Sequence, residues 1–232
     1  MQKPISGDDS SSWSIIEHDN VTLYNPNYQL VKRALDLSIC LLTLPFTLLV
    51  GLIISHLIRR DSPGPVLFVQ ERAGRGGKVF KIYKFRTMRN DIDRTKHQEI
   101  MKEFVHGQVE QEGQETFKPI QEGQLTKIGR ILRKTSLDEL PQLINVFRGE
   151  MSLVGPRPNV MWEVDAYYEW HKERLEVLPG ITGLAQVKGR SGILFDEIVY
   201  WDIEYIKRQN LFFDLKILWW TFEDVVRRKG AQ

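Results

Sequence analysis

Residues 37–58 read LSICLLTLPFTLLVGLIISHLI, 22 positions without Asp, Glu, Lys or Arg. At the rise of an α-helix they extend roughly 33 Å, about the thickness of a bilayer's hydrocarbon core. A buried soluble helix is the alternative, yet such helices rarely stay uncharged for so long. A secretory signal is not expected, because the run starts deep in the chain and no small-residue cleavage site follows. Lys32 and Arg33 precede the run and Arg59 and Arg60 follow it. Basic residues beside membrane segments stay cytoplasmic, so a simple span would put one pair on the wrong side. Pro45 removes the donor for the Leu41 carbonyl and crowds that turn, so the helix is expected to bend there. The preferred reading is a re-entrant hairpin that dips into one leaflet and returns, with Thr43 or Thr47 satisfying the freed carbonyl. A kinked transmembrane helix is the alternative.

Around this segment the composition is that of a folded protein. Of the 232 residues 42% are hydrophobic and 27% charged, which excludes a disordered chain. The single cysteine, Cys40, forms no internal bridge and suits a reducing compartment. Lys plus Arg total 32 and Asp plus Glu 30, so the formal charge of +2 argues against a nucleic-acid binder steered by bulk charge. A mean hydropathy of -0.31 conceals the one membrane-like segment.

The expected layout is a loose acidic tail at 1–27, a re-entrant membrane helix at 28–60 and a cytoplasmic catalytic domain at 61–232. The fold class expected is α+β and mostly helical, with interfacial amphipathic helices around a small catalytic domain. Residues 66–69 and 79–85 read as strands around the turn AGRGGK, which lacks the Walker pattern. Residues 93–124 are rich in Gln, Glu and Gly and read as a mobile insertion, with a short helix near 100–105. Residues 160–178 and 210–229 show helical periodicity. The second places Phe212, Phe213, Trp219, Trp220 and Phe222 ahead of the basic Arg227, Arg228 and Lys229. Membrane-interface contact and core packing explain both segments equally well.

The chemistry is expected within 128–158, IGRILRKTSLDELPQLINVFRGEMSLVGPRP. Asp138 and Glu139 on a helix diverge by about 100°, so they cannot share a proton but can serve one anionic centre in different roles. The plainer alternative is structural. Ser136 to Glu139 matches the S-x-x-E capping box, and acidic residues suit a first helical turn. Pro141 could instead mark the helix start and make Asp138 its cap. The surrounding cations favour chemistry: Arg130, Arg133 and Lys134 lie before the pair, and Gly155, Pro156, Arg157 and Pro158 after it. A carboxylate among cations can attack phosphorus once the phosphate oxygens are neutralised. Arg157, between two prolines, is pre-aimed at a phosphate, unless the turn is only a rigid surface feature.

These stretches resemble those of the small monotopic phosphoglycosyl transferases, a family of bacterial sugar transferases. The matching segments are YQLVKRALDL, GPVLFVQERAG, FKIYKFRTM, LRKTSLDELPQLINVFRGEMSLVGPRP, LPGITGLAQVKGR and FFDLKI, and together they cover about residues 28–228. The resemblance implies an enzyme of the bacterial inner (cytoplasmic) membrane, active at its cytoplasmic face. It would move a sugar 1-phosphate from a UDP-sugar to undecaprenyl phosphate, release UMP and initiate a surface glycan that downstream glycosyltransferases extend. It implies Mg2+ held by Asp138 and Glu139, with Asp138 forming a covalent phosphosugar and Glu139 as its partner. Arg133 and Arg157 would clamp phosphates, with Gly155, Pro156 and Pro158 shaping that site. Lys32, Arg33 and Asp36 would anchor the hairpin at the interface. Gly180, Gly183 and Gln186 would shape a loop near the nucleotide or a structural turn, and Asp202 and Asp214 would support the site from the C-terminal helices, with plain surface or core pairing as the commoner alternative. The chain departs from the family in carrying Leu44 rather than Ser before Pro45, and in its long polar insertion. The alternative functions are a Mg2+-dependent transferase without a covalent intermediate and a non-catalytic membrane scaffold.

Overall fold

The computed structural model describes residues 25–89, 104–106, 124–189 and 193–227. Residues 1–24 of the expected tail and most of the polar insertion fall outside these residues, while Asn25 to Asn27 of that tail already cap and begin the first helix. A single helix, α1 (Pro26–Asp61), contains the whole apolar run. Asn25 caps its start by accepting from the N–H groups of Asn27 and Tyr28, with Pro26 at the first turn. Arg59 and Arg60 lie in its last turn, where cations complement the helix dipole, and Pro63 follows soon after.

The expected hairpin is therefore not two helices joined by a turn: α1 continues through Pro45. Neighbouring carbonyls, not that of Leu41, take the threonines. Thr43 donates to Ile39 and Cys40, and Thr47 to Leu44. Such bonds bend helices, as proline does. The helix touches the rest of the protein at both ends. In its N-terminal arm Tyr28, Asp36 and Cys40 are buried, and in its C-terminal arm Ile54 and Ile58 are buried. Between them Leu41, Leu42, Leu44, Phe46, Leu48 and Leu49 are exposed.

A hairpin of β1 (Leu67–Ala73) and β2 (Val79–Phe85) follows, antiparallel and in register from Leu67 opposite Phe85 to Ala73 opposite Val79. The connecting turn is the expected AGRGGK. Beyond β2 a bridge between Met88 and Leu125 brings together the two ends of the segment 90–123. Within it, Phe104 packs edge-on against Phe195 and Val105 is fully buried.

Helix α2 (Lys127–Lys134) is capped by Thr126, and a 3-10 turn at Leu137–Gln142 leads into α3 (Leu143–Arg148). Next come β3 (Ser152–Val154), the short α4 (Met161–Val164), a 3-10 segment at Glu169–Leu175 and β4 (Gly180–Thr182). β3 and β4 pair in parallel, with Ser152 opposite Gly180 and Val154 opposite Thr182. The chain then forms α5 (Leu184–Gly189), α6 (Phe195–Arg208) and α7 (Leu211–Val226). The main core unites β2, β3, α3, α6 and α7 around Val146, Met151, Val199, Tyr205 and Ile217.

The stretch 160–178 differs from the single helix expected. Its two short helical pieces leave Tyr167, His171 and Arg174 buried. Tertiary packing of those three residues overrides the helical period.

Candidate active site

The carboxylate pair sits on the 3-10 turn Leu137–Gln142. Side chains three apart eclipse in such a turn, so Leu137 and Leu140 share a face. Both pack against the C-terminal arm of α1 and its partners, the cluster of Ile54, Ile58, Phe85 and Leu132. Asp138 and Glu139 fall between these apolar contacts and meet cations from elsewhere. Ser136, just before the turn, is the one non-glycine with positive φ among the described residues, at φ 56. Its side chain caps nothing. The S-x-x-E capping box is thus not formed, and Glu139 is free for other partners.

Glu139 is held by two of them. Lys84 Nζ donates to its Oε1 at 2.8 Å and Arg157 to the same oxygen at 3.0 Å. Burial alone would raise the Glu139 carboxyl, but Arg157 and Lys84 hold it down to about 2. Asp138 is treated differently. Among the described residues no side chain hydrogen-bonds to its carboxylate, which is half-buried. Burial and then the adjacent Glu139 raise its pKa, against the pull of Lys84, Arg133 and Arg157. One carboxylate is fixed and ionised, and the other has no hydrogen bond among the described residues and stands beside three cations.

The cations come from separate elements. Arg133, in the last turn of α2, donates from Nε to Thr87 Oγ1 at 3.1 Å. Arg157 leaves the core between Pro156 and Pro158, with its side chain 47% exposed. Lys84 was not singled out from the sequence. Its signal was positional: Phe80, Ile82 and Lys84 occupy one face of β2, and a lysine on a strand's apolar face needs a buried partner. Burial lowers its pKa.

Gly155 and Gly180 serve close backbone approach. A Cβ on Gly155 would run into the Leu178 carbonyl, and one on Gly180 into the Gly155 nitrogen. These glycines, with Gly183 against the Gly155 carbonyl, thus let the backbone just after β3 pass close against β4 and the residue that follows it. Gln186, in α5, donates to the Ile181 carbonyl of β4.

The remaining residues expected at the site lie apart from the carboxylate pair and join elements together. Lys32 pairs with Asp214 at 2.8 Å, and Tyr28 and Tyr205 also donate to Asp214. Arg33 donates to the Val146 and Phe147 carbonyls, and Asp36 accepts from the Leu153 N–H. All three polar residues expected at the lipid interface thus tie α1 to later segments of the chain. Asp202 forms a buried ion pair with Arg174 at 2.6 Å.

Among the described residues no group of three or more His, Cys, Asp or Glu could hold a metal by itself. The donor set fits Mg2+ in its usual form, with one or two carboxylates completed by substrate phosphates and water. Asp138 offers a carboxylate with no hydrogen bond among the described residues, and the contacts of Lys84 and Arg157 with Glu139 both fall on Oε1.

The family model described as bacterial sugar transferase matches residues 27–228. The chain belongs to the bacterial sugar transferase family. The galactosyl transferase CpsE of Streptococcus agalactiae is 38% identical over 95% of this chain and 47% of its own length. An undecaprenyl-phosphate galactose phosphotransferase of Salmonella typhimurium is 41% identical over 87% of this chain and 41% of its own length. The chain therefore spans about half the length of these relatives. It also matches the exopolysaccharide production protein ExoY of Rhizobium meliloti, 36% identical over 87% of this chain and 88% of that protein.

Proposed function

We propose that this bacterial sugar transferase is a membrane-bound phosphoglycosyl transferase that moves a sugar 1-phosphate from a UDP-sugar to undecaprenyl phosphate. The observation that carries the reading is the division of labour at the pair. Glu139 is locked by Lys84 and Arg157, while Asp138 keeps a carboxylate with no hydrogen bond among the described residues, facing the same cations. An Asp138 oxygen attacks the sugar-bearing phosphorus, and the bond to the bridging oxygen breaks. UMP leaves with that oxygen, and an acyl phosphate forms on Asp138. A phosphate oxygen of the lipid then attacks the same phosphorus. The acyl phosphate opens, the carboxylate is restored and a lipid diphosphosugar departs.

Arg133 and Arg157 neutralise phosphate oxygens that would otherwise repel the incoming carboxylate. Mg2+, held by Asp138 and substrate oxygens with Glu139 beside it, would supply further charge neutralisation on the diphosphate. The re-entrant reading is supported by the packing of both α1 arms on one domain, with an exposed apolar middle. It sets Asp138 near the headgroups of the cytoplasmic leaflet of the inner membrane, where a soluble nucleotide and a lipid phosphate can meet. The product is a substrate for glycosyltransferases that add further sugars.

The test is UMP release across a panel of UDP-sugars, in membranes containing undecaprenyl phosphate and Mg2+. Activity with one donor, trapping of radiolabelled sugar phosphate on the protein and loss of both in Asp138→Asn are expected. A fully active protein that never carries label would remove the nucleophilic role. No UMP from any donor would remove the reaction.

A further inference from the structure

The turn that presents Arg157 is gripped along its backbone from two sides. The Pro156 carbonyl accepts from the Gly180 N–H at 2.9 Å, and the Asn159 carbonyl from the Ala73 N–H at 2.9 Å. Between them the Arg157 carbonyl accepts from Arg174 at 3.1 Å, and the Pro158 carbonyl from Arg72 at 3.1 Å. Four successive carbonyls are thereby fixed, two of them by arginine side chains from different elements. Arg174 is itself immobilised. Its side chain is 2% exposed, paired with Asp202 at 2.6 Å and donating to Tyr167 Oη at 2.9 Å. Arg72, on β1, also donates to Gln70 Oε1 at 2.7 Å.

An arginine turned onto a main-chain carbonyl cannot spend the same N–H groups on a phosphate. Arg72 and Arg174 are therefore built differently from Arg157, whose side chain is 47% exposed and contacts Glu139. With the turn rigid, Arg157 meets a diphosphate without first ordering its own backbone, which strengthens binding by lowering the entropy cost.

We propose that Arg174, backed by Asp202, and Arg72 are positioning residues that aim Arg157 at the phosphates of the nucleotide substrate. This rests on the functional reading above, because it takes Arg157 to grip those phosphates. Both residues act through Arg157, so their effects should vanish when Arg157 is gone.

The experiment is a double-mutant cycle on the full chain in lipid nanodiscs, with UDP as the probe and affinity read by calorimetry. Arg174→Lys keeps a cation for Asp202 but shortens the reach to the Arg157 carbonyl. Arg72→Lys does the same at Pro158 and carries the test if Arg174→Lys fails to fold, as judged by its melting curve. Each is expected to weaken UDP binding about tenfold in the wild-type background. Each should weaken it by less than about twofold in Arg157→Ala. Equal losses in both backgrounds, or none in the first, would overturn the proposal. UMP release by the wild type separates the two claims. An active enzyme with additive losses sinks only the positioning roles. A protein that binds UDP with the expected cycle but releases no UMP sinks only the reaction. Failure of the wild type to bind UDP sinks both.

Discussion

Asp138 and Glu139 are neighbours in sequence with opposite fates, and the contrast depends on residues far away in the chain. The Glu139 carboxyl is held at about 2 by Arg157 and Lys84, below the ordinary value of 4.5. A depressed acid contributes stability above its unfolded pKa and loses it as pH falls through its folded one. The shift corresponds to roughly 3 kcal/mol. Glu139→Gln is thus expected to be less stable than wild type at pH 7, with the gap closing between about pH 5 and 2. Thermal melts of both proteins across that range check it. Ser136 gives a second prediction. Its φ of 56 suits glycine better than serine and suits a β-branched residue worst. Ser136→Gly should hold or raise the melting temperature, while Ser136→Val should lower stability by about 2 kcal/mol. The acidic pair, Arg133 and Arg157 were legible from local charge and proline context. Lys84 was missed because its partner lies 55 positions away and only the packing of β2 on the 3-10 turn joins them.

At the scale of elements, local patterns read well where one segment satisfies its own period. The long apolar helix, the β1–β2 hairpin and α7 all stand close to where their sequences put them. Two elements did not follow from local pattern. The aromatic stretch 160–178 has helical spacing, but Arg174 and His171 draw it into the core as two short pieces. The parallel pairing of β3 with β4 joins three-residue strands from distant segments, too short to leave an alternating signature. That pairing positions Arg157 through the close passage at Gly155 and Gly180. Gly155→Ala should force the strands apart, cost about 3 kcal/mol and reduce UMP release together with UDP affinity. Chemical denaturation and calorimetry would read the two effects. A fully stable Gly155→Ala protein would show that the crossing is looser than its geometry implies.

At the scale of the molecule, the two arms of α1 decide how the protein meets a membrane. The N-terminal arm is bound through Lys32 to Asp214, Arg33 to the α3 carbonyls and Asp36 to Leu153. In the C-terminal arm, Ile54 and Ile58 pack with Phe85 and Leu132, and Asp61 accepts from the Ile128 N–H. A helix crossing the bilayer would separate its ends by a hydrocarbon core of about 30 Å, and one small domain could not hold both. What protrudes is the apolar middle around Pro45. On α7, Phe212, Leu215, Trp219 and Phe222 add an exposed stripe at helical spacing, suited to the headgroup boundary. Both ends of α1 should therefore lie on the side of the elements that hold them. In a Cys40→Ser background, Asn27→Cys and Arg60→Cys place single thiols at exposed positions on either end. A membrane-impermeant maleimide should label both in inside-out vesicles and neither in intact spheroplasts. Labelling of Arg60→Cys from outside would mean that α1 crosses the bilayer. The contacts of Ile54 and Ile58 with Phe85 and Leu132, and of Asp61 with Ile128, could not then persist in the membrane, and Leu137 and Leu140 would lose the surface that seats Asp138.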